Sequence, residues 1–319
     1  MKKPLTISLI AVALILVIGS IYFFQPKEKA VVRVGYLPIT ACLPYFVGEE
    51  MGYFSKQGLE IKAVRFETSQ QMMDGLLQGQ VDVITSAASA VGLLVQEKSP
   101  DQFKVFGVNT NGTNNPLDVL LVKASSSIKT VQDLKGKKIG SFPGVQALTL
   151  LKKYLLANGL DPSRDVQIQE MKQDLHLQAL DSGQVDAVLT YEPNATIGEQ
   201  KGISKVLTKA PFAQVSVDPY PTGIFSISKS YLETNPQVAQ KIITAFDQSM
   251  NYANNNQVEA RKVLTKFVPI EQNITTLVPI SHFETLATMD KNSFQKFADI
   301  LFAEKVLTKQ PDISAFLIH

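Results

Sequence analysis

Gly79-Gln80-Val81-Asp82-Val83-Ile84-Thr85-Ser86 and Gly183-Gln184-Val185-Asp186-Ala187-Val188-Leu189-Thr190-Tyr191-Glu192 are one phrase said twice, and its reading decides the fold. In each copy an apolar helical pattern runs into Gly-Gln, a short strand follows, and hydroxyl, aromatic or acidic side chains close it. A duplicated αβ unit is the simplest reading: an α/β protein of two lobes. Ligands of an open parallel sheet sit outside the carboxyl ends of its strands. Thr85 and Ser86 in one copy, and Thr190, Tyr191 and Glu192 in the other, are therefore the first candidates for a site between the lobes.

Around the first copy the chain alternates strand and helix. Val31 to Tyr36 reads as a strand and Pro44 fits the first turn of a helix. Leu59 to Phe66 reads as a second strand, and Thr68 to Gln71 as a capping box opening a helix with Met72, Met73, Leu76 and Leu77 inward. Ser86 to Gln96 reads as the next helix and Phe103 to Val108 as a strand. The polar run Asn109 to Pro116 marks a first crossing between lobes. Around the second copy, Lys138 to Ser141 and Val166 to Met171 read as strands, with a helix after Phe142-Pro143-Gly144 stopped by Asn158-Gly159. Asp218 to Gly223 is proline-rich and marks the return crossing. Asn235-Pro236 then starts a long amphipathic helix, and further helices follow to the end. The divisions expected are 1–30 as an export segment with a short linker, 31–114 and 221–319 as lobe one with carboxyl-terminal helices, and 115–220 as lobe two.

Composition narrows the function. The 319 residues are 45% hydrophobic and 19% charged, as in a globular chain with room for two domains. Setting aside Lys2 and Lys3 leaves 29 basic against 29 acidic residues, and no basic run offers a surface to nucleic acid. One cysteine, Cys42, excludes an internal disulfide framework and any cysteine-rich metal site. The chain carries no His/Glu metal motif and no phosphate loop, so neither cofactor nor metal is expected. His176, His282 and His319 read as structural or surface residues in helical or terminal contexts, and Asp82 and Asp186 as braces of the repeated strand.

Met1-Lys2-Lys3 followed by the uncharged Leu5 to Phe24, about 20 residues long, reads as an export segment. Gly19-Ser20 is a poor cleavage site before Ile21-Tyr22-Phe23-Phe24, which favours an uncleaved anchor over a removed signal peptide. Either way the rest of the chain lies outside the cytoplasm. Ile39-Thr40-Ala41-Cys42 looks like a lipid-attachment box but stands too far from the apolar segment, so Cys42 reads as a buried small residue in a loop.

Val34-Gly35-Tyr36, Gly52-Tyr53-Phe54 to Gly58-Leu59-Glu60-Ile61, Gly79 to Thr85, Leu134-Lys135-Gly136-Lys137-Lys138-Ile139-Gly140 and Gly183 to Pro193 occur in that order. Together they resemble the solute-binding proteins of ABC importers for nitrate, taurine and alkanesulfonates, a family that also holds binders of the thiamine pyrimidine precursor. The resemblance spans Val31 to Phe267. It implies a type II periplasmic-binding fold, hinge closure on a small molecule, a membrane permease as partner, a monomer, and binding in place of catalysis.

The family's contact loops fall here on Pro38, Thr40 and Ala41, on Ser86 and Ala87, on Ser141, Gly144, Val145 and Gln146, and on Tyr191 and Glu192, with Tyr220 at the return crossing. Helix starts in two of these loops offer free N–H groups and a positive dipole end. None of these loops carries Arg or Lys, and Glu192 beside a bound anion would cost several kcal/mol, on the order of an unpaired buried charge. A sulfonate-type and an aminopyrimidine-type ligand both stay open. Two other readings stand beside the importer: a membrane-tethered sensor, and an enzyme on the same scaffold.

Overall fold

The computed structural model describes residues 29–318; the segment 5–24 expected as signal or anchor, and His319, lie outside them. In chain order the first part contains β1 (Ala30–Tyr36), α1 (Leu43–Glu50), α2 (Tyr53–Lys56), β2 (Leu59–Arg65), α3 (Ser69–Leu77), β3 (Val83–Ala88), α4 (Ser89–Lys98) and β4 (Phe103–Asn111). The middle contains β5 (Asp118–Lys123), β6 (Lys137–Ser141), α5 (Val145–Ala157), β7 (Val166–Glu170), α6 (His176–Asp181), β8 (Ala187–Tyr191), α7 (Asn194–Gln200) and β9 (Ser204–Lys209). The last part contains β10 (Tyr220–Ser228), α8 (Lys229–Thr234), α9 (Pro236–Asn255), α10 (Gln257–Val263), α11 (Gln272–Thr275), β11 (His282–Thr285) and α12 (Lys291–Ala303).

Two mixed sheets result. One runs β11-β4-β10-β3-β1-β2 and the other β7-β6-β8-β5-β9. Leaving out the edge strand β11, the second repeats the first: two parallel pairs around β1 or β6, then an antiparallel strand that has crossed from elsewhere in the chain. That strand is β10 in the first sheet and β5 in the second. Segments 112–117 and 210–219 join the two sheets.

Local chemistry explains the elements. Thr68 caps α3 by accepting from Gln71 N–H at 3.2 Å, while Gln71 reaches back to Glu67 N–H instead of closing the box on Thr68. Thr130 and Asp133 form a complete capping box at a short 3-10 turn. Pro236 occupies the first turn of α9, whose buried face is Ala239, Ile242, Ala245, Phe246, Ser249, Met250 and Ala253. Phe246 meets Phe54, Phe106 and Phe225 at centroid distances of 5.1, 5.3 and 6.0 Å. Each such ring, wholly buried, contributes about 1.5–3 kcal/mol. In β5, Leu120 and Val122 enter the main core and Val119 and Leu121 a smaller one on the opposite face, as expected for a strand covered on both sides.

Four sequence expectations shift. The helix expected from Ser86 starts at Ser89, because β3 continues to Ala88 by pairing Ala87 with Ile224 and Ala88 with Gly223. Strand β4 runs on to Asn111, so Asn109, Thr110 and Asn111 are buried ladder residues and not connector. Strand β9, whose apolar pattern is diluted by lysines as edge strands often are, was not expected. His282, expected in a helical or terminal context, is an exposed residue of β11 paired with Thr110. No helix among the described residues is long and apolar enough to cross a membrane.

Candidate functional site between the lobes

Strands β1 and β3 are parallel, as are β6 and β8, so each sheet presents one edge of carboxyl ends. The two edges face each other, and the side chain of Gln146 spans them. Its Oε1 accepts from Ala90 N–H of α4 at 2.9 Å and its Nε2 donates to the Thr222 carbonyl of β10 at 3.0 Å. Gln146 is the second residue of α5 and is 5% exposed. Gly144 precedes that helix with φ of 126°, a conformation that L side chains avoid, and this sets the turn that aims Gln146 across the gap.

Lobe one contributes a buried polar relay. The Ser86 hydroxyl donates to Asn109 Oδ1 at 2.8 Å, Asn109 Nδ2 donates to Ser281 Oγ at 3.2 Å, and Ser281 donates to Asn111 Oδ1 at 2.8 Å. Gly223 lets this happen: a Cβ there would stand 2.6 Å from Asn109 Oδ1 and 2.7 Å from Ser86 Oγ. Ser86 itself has φ of 50°, the kink at which β3 bends towards α4. Two buried polar atoms near these groups have no partner among the described residues, Ser89 Oγ and Asn111 Nδ2. Buried groups of this kind are usually satisfied, so they mark places with hydrogen-bonding capacity to spare.

Lobe two contributes the rings of Phe142 and Tyr191 and the Asp118 carboxyl, which meet Phe212 of a joining segment and Tyr220 at the start of β10. Tyr191 stacks on Phe142 at 4.5 Å and 30° and meets Phe212 edge-on at 6.4 Å; Phe212 meets Tyr220 at 6.2 Å. The Tyr220 hydroxyl donates to Asp118 Oδ1 and Phe212 N–H to Asp118 Oδ2, both at 2.9 Å. Burial pushes the Asp118 carboxyl up to about 6, with the Phe212 N–H and the Tyr220 hydroxyl pulling the other way. The Tyr191 hydroxyl is pushed above the usual phenol range by burial and by Asp118, and lies within reach of Tyr220 and Gln146.

The expected site residues sort as follows. Gln146, Tyr191, Tyr220 and Ser86 fall into this connected set, and Ala87 is buried in the strand just before α4. Pro38, Thr40 and Ala41 follow β1 at the same sheet edge, Thr40 and Ala41 buried and Pro38 half-buried. Ser141 is wholly buried at the end of β6, its hydroxyl donating to the Phe142 carbonyl at 3.2 Å. Val145 opens α5 beside Gly144. Glu192 is turned away onto α7, accepting from Thr196 N–H at 3.0 Å, and lines a separate cavity of about 210 Å³ with Lys209 and Leu277. Burial raises its carboxyl.

Asp118, Phe142, Asn109 and Thr222 were not picked from the sequence. For Asp118 a signal existed: a lone acid at the head of the apolar run Leu117 to Val122. His176 is buried and structural. Its Nε2 faces the Met171 carbonyl at 3.2 Å and so carries the proton, leaving Nδ1 to accept from the Thr190 hydroxyl at 2.9 Å. Burial pushes its pKa down to about 4. Cys42 is wholly buried, its thiol pushed up to about 11, and bonded to Thr85. Among the described residues no group of three or more His, Cys, Asp or Glu could hold a metal ion.

Comparison with known proteins fits this architecture. The family model described as NMT1/THI5 like matches residues 39–260. A Bacillus subtilis (strain 168) protein described as binding aliphatic sulfonates is 24% identical over 295 residues, covering 90% of this chain and 85% of its own length. The nitrate/nitrite binding protein NrtA of Nostoc sp. (strain PCC 7120) is 25% identical over 260 residues, covering 75% of this chain; the match spans only 58% of NrtA. Among solved structures, the alkanesulfonate-binding protein SsuA of Xanthomonas axonopodis pv. citri, bound to MOPS, superposes with a TM-score of 0.73 at 22% identity, covering 92% of this chain and 99% of that one.

Proposed function

We propose, from the premise that this chain belongs to the NMT1/THI5-like family, that it captures a small organic solute outside the cytoplasm and delivers it to the membrane permease of an ABC importer. The observation that carries this reading is the meeting of the two carboxyl edges. Groups from both lobes converge there, Gln146 and Tyr191 from one and Ala90, Thr222 and the Ser86–Asn109 relay from the other. A solute held between them is enclosed by rotation about the two joining segments, the hinge motion that two-lobed receptors use. The groups that meet, Gln146, Tyr191, Ala90, Thr222, Ser86 and Asn109, are hydrogen-bonding and aromatic and carry no cationic side chain. They suit uncharged polar and ring-shaped parts of a solute of the sulfonate or aminopyrimidine type.

No step of bond making is assigned to these residues. Asp118 and His176, the carboxyl and imidazole whose pKa values burial shifts here, are each wholly buried with their polar atoms engaged by neighbours, and the Tyr191 and Tyr220 hydroxyls are held protonated by burial. The test is thermal unfolding with taurine, methanesulfonate, nitrate, bicarbonate and an aminopyrimidine. One of them should raise the midpoint; a ligand at a hundredfold excess over its Kd adds about 2.7 kcal/mol. No response to any of the five would contradict the reading.

A further inference from the structure

The carboxamide of Gln146 stands where a solute would meet lobe one, and its two bonds describe what that lobe asks for. Ala90 N–H is a first-turn donor of α4, a helix of 10 residues, and needs an acceptor. Thr222 C=O is a main-chain acceptor and needs an N–H. These needs fix the orientation of the Gln146 amide, oxygen towards Ala90 and nitrogen towards Thr222. A flanking hydroxyl has capacity unused among the described residues: Ser89 Oγ, wholly buried beside Ala90.

We propose that Gln146 is an internal stand-in for the head group of the solute: it latches lobe two to lobe one, and the solute displaces it by making the same two bonds. The head group is then one with an acceptor and an N–H donor side by side, as in an aminopyrimidine, whose ring nitrogen and amino group present the pair that a carboxamide does. A sulfonate or nitrate offers acceptors alone. It satisfies Ala90 N–H but sets a charged oxygen against the Thr222 carbonyl. Gln146 therefore acts in specificity, by competing with weak or mismatched heads at the same two main-chain groups. A bond between two lobes also biases the hinge, since it exists only when they are close. The identity of the head group rests on the solute-capture reading; the latch does not.

The experiment separates the two. Cys42 is wholly buried, so spin labels can be placed on the exposed Glu67→Cys of lobe one and Lys172→Cys of lobe two. Interlobe distances are then measured with no solute added. Gln146→Ala is expected to shift the distribution to longer distances by several ångströms. Gln146→Glu, close in shape and keeping an acceptor for Ala90 but offering no N–H to Thr222, is expected to shift it likewise. Acetamide in excess should return the Gln146→Ala protein to the shorter distances, and methanesulfonate should not. Circular dichroism verifies that each variant is folded; Gln146→Glu serves if Gln146→Ala is not. Unchanged distances in the folded variants would overturn the latch. Equal rescue by acetamide and methanesulfonate would overturn the head-group assignment and leave the latch standing. Neither result depends on finding the natural solute.

Discussion

Asp82 and Asp186 open the two copied strands, and each binds the main chain of the neighbouring parallel strand. Asp82 N–H donates to the Arg33 carbonyl at 2.8 Å and its Oδ2 accepts from Arg33 N–H at 2.8 Å; Asp186 does the same with Lys138, at 2.9 Å for both bonds. At the far end the copies part. Pairing aligns Val83 with Ala187, so Ser86 and Thr190 share a register. Yet Ser86 bonds Asn109 towards the joint of the lobes, whereas Thr190 bonds the buried His176. One step further, Ala87 stands against Tyr191. The entry to the strand is scaffold, and the exit is where one lobe offers small polar groups and main chain while the other offers rings. On the proposed reading, a solute between them meets unlike partners at its two ends.

The largest test of this comparison lies at the scaffold end, where the copies are alike but not equal. Arg33 adds a side-chain fork to Asp82, with Nε at 3.1 Å, and a further bond from Nη1 to the Gly79 carbonyl at 2.6 Å. The equivalent residue of lobe two is a lysine, which forms no such fork. Asp82→Ala should cost about 2 kcal/mol in urea unfolding, since it leaves the Arg33 main-chain N–H without its acceptor and removes the partner of a half-exposed guanidinium. Asp186→Ala, at a half-buried position, should cost about 1 kcal/mol. Equal costs would break the distinction.

The next test uses pH. His176 is neutral in the fold with a pKa pushed down to about 4, against 6.5 when exposed. Its contribution is complete above 6.5 and is lost as pH falls through 4, because the unfolded chain takes up the proton first. Asp118 has the opposite sign. Raised to about 6 from 3.8, it contributes fully below 3.8 and loses that contribution as pH rises through about 6. Each is worth about 3 kcal/mol as an upper bound. The two offset each other in the native protein. His176→Gln should therefore remove a loss on acidification, and Asp118→Asn should expose it as a steeper fall in the urea midpoint towards pH 4. Parallel pH profiles for the two variants would contradict the assignment.

The smallest effect belongs to the turn behind Gln146. A Cβ at Gly144 meets nothing within 4 Å, so Gly144→Ala brings strain without collision. A cost of about 1–2 kcal/mol is expected in thermal unfolding. The interlobe distance should lengthen in that variant only if the turn aims Gln146.

The repeated phrase was legible because its glycines and its short apolar strands are local signals, and both copies fold as αβ units. The capping residue Thr68 and the helix stops at Gly79 and Asn158 were legible for the same reason. What failed was non-local. The start of α4 moved from Ser86 to Ser89 because β10, far along the chain, holds Ala87 and Ala88 in the sheet. Asp118 found Tyr220 across 102 residues and Gln146 found Ala90 across 56, and no window of sequence contains either pair. Tyr191 and Glu192 were both expected at the cleft as the end of the repeated strand; adjacent side chains of an extended chain point to opposite faces, and Glu192 accepts from Thr196 N–H of α7 while Tyr191 joins the rings.

One measurement bears most directly on capture of a solute between unlike lobes. The protein is equilibrated with the small-molecule fraction of a cell extract, exchanged into volatile buffer and weighed by native mass spectrometry. A single adduct of small organic mass, one per chain, is expected, and it is lost when Tyr191→Ala removes the ring beside Gln146 and Tyr220. A protein that carries no adduct, or an adduct equally retained by the folded Tyr191→Ala variant, would contradict it.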